Sequence, residues 1–173
     1  LFRSVRTLDV SFQLLTPQPG HGRVVMTPAV LRLDWNTVVL YPAGYFARDI
    51  EVQAGVSLPP DFKFATALTV ASREGNEVAF EPIDLENLVD SPLLAGEYYE
   101  RIDLNPSGET PIHLDVFADR QQDLEITQQE IQYHRNLVTQ MYRLYGSFHF
   151  NHYDFLFTLS DELAAAGLEH HRR

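Results

Sequence analysis

Apolar and polar residues alternate with a period of two through much of the first two thirds of the chain. Leu8, Val10, Phe12 and Leu14 alternate with polar neighbours and predict a strand already under way within ten residues of Leu1. Short segments rich in Val, Leu and aromatics follow at 23–26, 30–35, 37–41, 45–52 and 64–71. They are punctuated by Pro17 to Gly22, Pro42-Ala43-Gly44 and Leu58-Pro59-Pro60-Asp61. Arg73-Glu74-Gly75-Asn76 reads as a hairpin turn into residues 78–80. Asp84 can cap a single helical turn that carries Leu85, Leu88 and Val89 on one side. Asp90-Ser91-Pro92 and Gly96 then return the chain to strands at 97–104 and 112–118, where Ile112, Leu114 and Val116 alternate with His113 and Asp115. Many short strands with a turn about every 8–12 residues predict an antiparallel sandwich or open sheet.

Near Asp119 the period changes. Thr127 and Glu130 stand at capping-box spacing, Ile126 and Ile131 at the spacing of a hydrophobic staple, and Gly146 is placed to end the helix they begin. Ile131, Val138, Met141, Tyr142 and Tyr145 form one stripe at 3.6-residue spacing. Phe155, Leu156, Phe157 and Leu159 then form a near-continuous apolar run, the pattern of a strand covered on both faces. The pattern therefore predicts a mainly β chain. A β-sandwich-like domain spans residues 1–120, and a long helix and a strand in 121–173 begin a second domain of α/β or α+β type. A buried-type strand near the end of the sequence, with Leu1-Phe2-Arg3 in place of an initiator Met, suggests a piece of a larger protein. A severed strand predicts an exposed apolar patch, or a dimer that hides one.

Composition narrows the partners. Thirteen Lys+Arg against 24 Asp+Glu give a net charge of -11, which repels phosphate backbones and anionic lipid and argues against nucleic-acid and membrane partners. No apolar run approaches the roughly 20 residues of a bilayer span, so a soluble protein is expected. The absence of cysteine excludes disulfides, thiolate nucleophiles and Cys-type zinc sites, but does not fix a compartment.

The chain carries no nucleophile elbow, no dinucleotide fingerprint and no phosphate loop. No His is followed by Glu, so there is no His-Glu-x-x-His zinc helix, and Ala166 spoils the reversed form. His149 and His152 stand three apart, but a solvated loop explains them without a metal, and His113 belongs to the polar face of its strand. Trp35, Tyr41, Tyr45 and Phe46 read as sheet core rather than a sugar platform. Asp84, Glu86 and Asp90 form an acidic patch in which Asp84 caps a helix and Asp90 opens a turn. Glu169 differs: it follows a glycine and a buried-type strand, a placement from which a carboxylate can face a cleft.

Residues 156–170, ending in Ala165-Ala166-Gly167-Leu168-Glu169-His170, resemble the Gly-Gly-Leu-Glu-His segment of the glycyl aminopeptidase family, zinc metallopeptidases of the gluzincin type that usually carry a later PDZ domain. Leu33-Asp34-Trp35-Asn36, Leu40-Tyr41-Pro42-Ala43-Gly44, Leu58-Pro59-Pro60, Ala65-Thr66-Ala67-Leu68 and Leu88-Val89-Asp90-Ser91-Pro92 with Gly96 are similar to that family's N-terminal β domain, in the same order. The resemblance implies an N-terminal β domain followed by a thermolysin-like catalytic domain, whose zinc helix would lie downstream of Arg173. It implies a peptide cleft bordered by Gly167, Leu168, Glu169 and His170, with Glu169 holding the substrate's free α-amino group. It implies removal of N-terminal Gly or Ala by the parent, in the bacterial cytoplasm or periplasm. It assigns zinc to the parent and none to these residues. Ala165 and Ala166 depart from the family's glycines, where a close backbone approach favours Gly. The rival reading is a stand-alone β-sandwich module that binds carbohydrate or protein.

Overall fold

The computed structural model describes residues 7–15, 25–163 and 167–170. The elements are β1 (Val30–Leu33), β2 (Glu51–Val52), β3 (Gly55–Ser57), β4 (Lys63–Thr66), β5 (Val70–Glu74), β6 (Glu77–Phe80), β7 (Ile83–Asp84), α1 (Leu85–Val89), β8 (Leu93–Gly96), β9 (Tyr98–Asp103), β10 (Ile112–Ala118), α2 (Gln128–Tyr145) and β11 (Tyr153–Leu159). Three-stranded sheets are ordered β3-β6-β5, β1-β8-β4 and β11-β10-β9, with β2-β7 as a small fourth pair. Every pairing is antiparallel except β10 with β11, which is parallel and is reached through α2. The fold is mainly β, as the alternation predicts.

The middle sheet is covered on both faces, and its side chains sort by parity. Leu93 and Ala95 of β8, with Leu31, Leu33 and Phe64, join a core shared with Val78 and Phe80 of β6 and with Trp35, Leu85 and Leu88. Val30, Ala65 and Leu94 turn the other way and meet Phe117 of β10, with Tyr99 and Leu156 beside it. That second contact is close: a Cβ at Gly96 would lie 2.8 Å from the Ala29 carbonyl oxygen and 3.2 Å from Phe117 Cδ1. The opposite face of β10, with Ile112, Leu114, Val116 and Ala118, packs on Ile131 and Val138 of α2. Two sandwiched sheets, a third sheet and a helix thus stack as consecutive layers. The seam expected near residue 120 lies between β10 and α2, while β9 and β10 before it share a sheet with β11 after it.

A polar ladder runs across the third sheet. Asp115, in the middle of β10, is fully buried. It accepts hydrogen bonds from Tyr99 Oη at 2.6 Å and from Arg101 Nε and Nη2 at 2.7 and 3.1 Å, both from β9. Arg101 also stands 3.6 Å from Asp154 of β11, which takes His113 Nδ1 at 3.0 Å on one oxygen and His152 Nδ1 at 2.9 Å on the other. Burial and the hydrogen bond to Asp115 push the Tyr99 phenol well above its ordinary range. The hydrogen bond to Asp115 likewise raises the Arg101 guanidinium, so this pair stays charged.

Several expectations hold in detail. The capping box forms, with Glu130 N donating to Thr127 Oγ1 at 3.3 Å and Thr127 N donating to Glu130 Oε2 at 2.8 Å. Gly146 ends α2 in the left-handed region at φ 76°. Gly75 turns the β5–β6 hairpin at φ 60°, and Asp84 caps α1 by accepting from Asn87 N at 2.9 Å. Other expectations fail. Residues 7–15 form no strand, and Leu8, Val10, Phe12 and Leu14 are exposed: alternation alone cannot make a strand without a partner edge. Residues 37–41 form no strand either; a 3-10 turn at Trp35–Thr37 interrupts the run because the Trp35 indole is drawn into the core. The α2 stripe is buried only at Ile131 and Val138, whereas Tyr142 and Tyr145 are exposed. The 155–159 run is covered on both faces only at its start, where Phe155 packs on the α2 side and Leu156 on the middle sheet, whereas Phe157 is 51% exposed.

Two outcomes are expected from thermal and denaturant unfolding. Thr127→Ala lowers stability by about 1 kcal/mol by removing the cap. Glu130 is held below its ordinary value of 4.5 chiefly by the Thr127 side chain, so its capping contribution is full above that value and is lost as pH falls through the lowered one. The Thr127→Ala penalty should therefore shrink in acid. Asp115→Ala strands a part-exposed guanidinium and a phenol, and is expected to cost on the order of 3 kcal/mol, the low end for a broken buried pair. Tyr99→Phe, which removes one donor, should cost about 1 kcal/mol. Equal losses for these two variants would contradict the central role of the Asp115 carboxylate.

Candidate functional site

A cleft of about 410 Å³ opens between the middle sheet and the edge strand β11, a volume suited to a small ligand or a few peptide residues. Arg32, Asp34, Ala67 and Leu94 line it from the middle sheet and the segments that flank its strands. Tyr153 to Thr158 of β11 line the opposite side. Parity explains the first wall, since Arg32 pairs in register with Leu94 and points with it away from the sandwich core. Position explains the second: with β10 on one side only, β11 leaves its outer edge to the cleft.

Asp90 and Pro92 close one end of the first wall from the turn between α1 and β8. That turn is pinned. Ser91 is fully buried, its amide donates to Leu88 O at 3.0 Å, and its hydroxyl donates to Asn87 O at 2.8 Å. Its carbonyl accepts from Trp35 Nε1 at 2.8 Å. Leu168 and His170 come to the same cleft from the far end of the sequence, and His170 Nδ1 lies 3.2 Å from Asp90 Oδ1. Glu169, between them, is exposed, and its charge reaches Tyr153. Burial first, and the Glu169 carboxylate second, raise the Tyr153 phenol, so it remains a protonated donor near neutral pH.

The cleft has an acidic surplus. Asp34 is neutralised by Arg32 at 3.0 Å, but Asp90 faces an imidazole. Asp154 faces two imidazoles at close range and Arg101 at 3.6 Å. Among the described lining residues three aspartates stand against one arginine, a balance that favours a cation. Among the described residues no group of three or more His, Asp or Glu side chains converges as a metal ligand set. No described helix is long and apolar enough to cross a membrane.

The four residues anticipated at a cleft edge are distributed unequally. Leu168 and His170 line the cleft, Glu169 adjoins Tyr153, and Gly167 is exposed, with nothing within 4 Å of a Cβ placed on it. They form no regular strand. Ala165 and Ala166, the departures from the family's glycines, lie outside the described residues, as do His171, Arg172 and Arg173. His149 and His152 do not act together: His149 packs on Phe150, while His152 bonds Asp154. Trp35 is in the core as expected, but Tyr41, Tyr45 and Phe46 are exposed rather than buried. Asp90 and Asp154 were the residues that sequence reasoning passed over. Asp90 looked like an ordinary turn opener, because its partner lies 80 positions away. Asp154 precedes an apolar run and shows its role only once β11 is placed in register with His113.

No curated protein matches the chain. The family model described as the Peptidase M61 N-terminal domain matches residues 3–97, which takes in the sandwich, the middle sheet and the Asp90 turn. That match covers more than half of the 173 residues, and the chain belongs to the peptidase M61 family through its N-terminal domain.

Proposed function

We propose that this chain is the non-catalytic N-terminal portion of a zinc metallo-aminopeptidase of the glycyl aminopeptidase type, and that it supplies one edge of the peptide cleft. The zinc helix, the general base and any PDZ domain belong to the parent outside these residues, and these residues alone are expected not to hydrolyse peptides. Metal-assisted hydrolysis needs ligands that polarise a water and a base beside it. The observation that carries the reading is the position of Leu168 and His170 in the cleft, with the exposed Glu169 between them, on a chain whose N-terminal half matches a peptidase family domain.

In this reading Glu169 is the partner of the substrate's α-ammonium group. A fixed carboxylate in a partly desolvated setting binds an ammonium through charge-assisted hydrogen bonds, roughly twice as strong as neutral ones. Asp90 and Asp154 add negative charge to the cleft wall. The apolar sides of Leu94, Leu156 and Leu168 leave room for a short side chain. The preference for Gly or Ala is part of the proposal and rests on the resemblance.

Peptidase activity on glycyl and alanyl p-nitroanilides with added zinc, measured on this chain and on the full-length open reading frame, tests the reading. Activity is expected in the long form alone. Glu169→Gln in that form should lower kcat/KM by roughly 10- to 150-fold, the equivalent of about 1.5–3 kcal/mol for a hydrogen bond to a charged group. Activity in neither form would favour a binding module instead.

A further inference from the structure

We infer that Asp90, a residue of the N-terminal β domain, is a positioning residue for the amine site: it holds His170 and thereby fixes Glu169. The inference rests on the aminopeptidase reading above and deepens it. The two ends of the Asp90–His170 contact differ sharply. Asp90 projects from a turn whose next residue is fully buried and fastened by three hydrogen bonds, one from the Trp35 indole, and whose chain direction is then set by Pro92. His170 belongs to a segment with no regular secondary structure. Among the described residues, the bond to Asp90 is the only hydrogen bond that residues 167–170 make. Leu168 adds little anchoring, being 62% exposed. A rigid carboxylate therefore restrains a segment that little else restrains.

An ordinary surface ion pair would contribute almost nothing. This one is set apart by burial and by position: both side chains are about three-quarters covered, at 24% and 23% exposure, and both line the cleft. Glu169 is bonded directly to His170, so a shift of the imidazole moves the Glu169 backbone with it. Displacing a binding group by about 1 Å can cost a hundredfold in rate. Asp90 thus acts on the substrate amine only through His170 and Glu169, and its loss should be felt by ligands that carry an amine and by no others.

The test uses the full-length protein and two hydroxamate inhibitors, alanine hydroxamate and its des-amino counterpart propionohydroxamic acid, alongside alanyl p-nitroanilide. Asp90→Asn should weaken alanine hydroxamate and raise KM about tenfold, with kcat within about twofold and propionohydroxamic acid unchanged. In the Glu169→Gln background Asp90→Asn should add almost no further loss, because the two act as a unit. Equal weakening of both inhibitors, or full additivity with Glu169→Gln, would show general damage and overturn the proposal. An active wild type that responds to Glu169→Gln but not to Asp90→Asn would overturn the positioning role alone. An inactive wild type, or one indifferent to Glu169→Gln, would overturn the peptidase reading and this inference with it.

Discussion

A fully buried carboxylate in the middle of a central strand has to be satisfied, and the third sheet is arranged to satisfy Asp115. Its two oxygens take three donors from β9, and the guanidinium that supplies two of them leans on toward Asp154 of β11. One side chain per strand therefore ties β9, β10 and β11 together on the face turned toward the middle sheet. A one-residue slip of β9 would move Tyr99 and Arg101 to the opposite, α2-facing side and leave Asp115 unpaired, whereas a slip of β11 would take Asp154 away from Arg101 and His113. A buried charge without its partner costs several kcal/mol, so the ladder fixes register more than it adds net stability.

That register decides where the apolar contact between sheets can form. With Asp115 pointing at the middle sheet, Phe117 two residues on points there too, and it meets Val30, Ala65 and Leu94 over the bare backbone of Gly96. The contact lies near one end of β8. Toward the other end, Arg32 and Asp34 on one wall and Asp154 on the other are polar and cannot close on each other without desolvation, so the cleft stays open. The tight end and the open end have the same origin, in the order of apolar and charged residues along β8, β1 and β11.

Local chemistry was legible from sequence wherever the partner lay within a few residues. The capping box of α2, its Gly146 terminus, the Gly75 hairpin and the Asp84 cap needed only a four- or five-residue window. β10 also lay open to view, since its alternation matches a strand with one face on a helix and the other on a sheet. What the pattern could not show was which apolar faces find cover. Leu8, Val10, Phe12 and Leu14 carry the same alternation as β10 and remain exposed, and Tyr142 and Tyr145 carry the stripe of α2 past the end of the sheet. The site was half legible for the same reason. The Leu-Glu-His segment stood out by resemblance, but Asp90 and Asp154 depend on contacts across 80 residues and across a parallel strand pair.

The distribution of arginine and histidine completes the argument. Three of the described aspartates pair with arginines, Asp115 with Arg101, Asp34 with Arg32 at the cleft wall and Asp123 with Arg120, while Asp84 accepts from the neutral amide of Asn87. At the cleft Asp90 meets the His170 imidazole, and Asp154 meets the His113 and His152 imidazoles with Arg101 at 3.6 Å. A guanidinium cancels a carboxylate at every physiological pH, whereas an imidazole does so only when protonated. Asp115, Asp34 and Asp123 are thus matched by a permanent positive charge. On a chain with a net charge of -11, the described cleft wall itself sets three aspartates, Asp34, Asp90 and Asp154, against one arginine, Arg32, a balance that favours a cation.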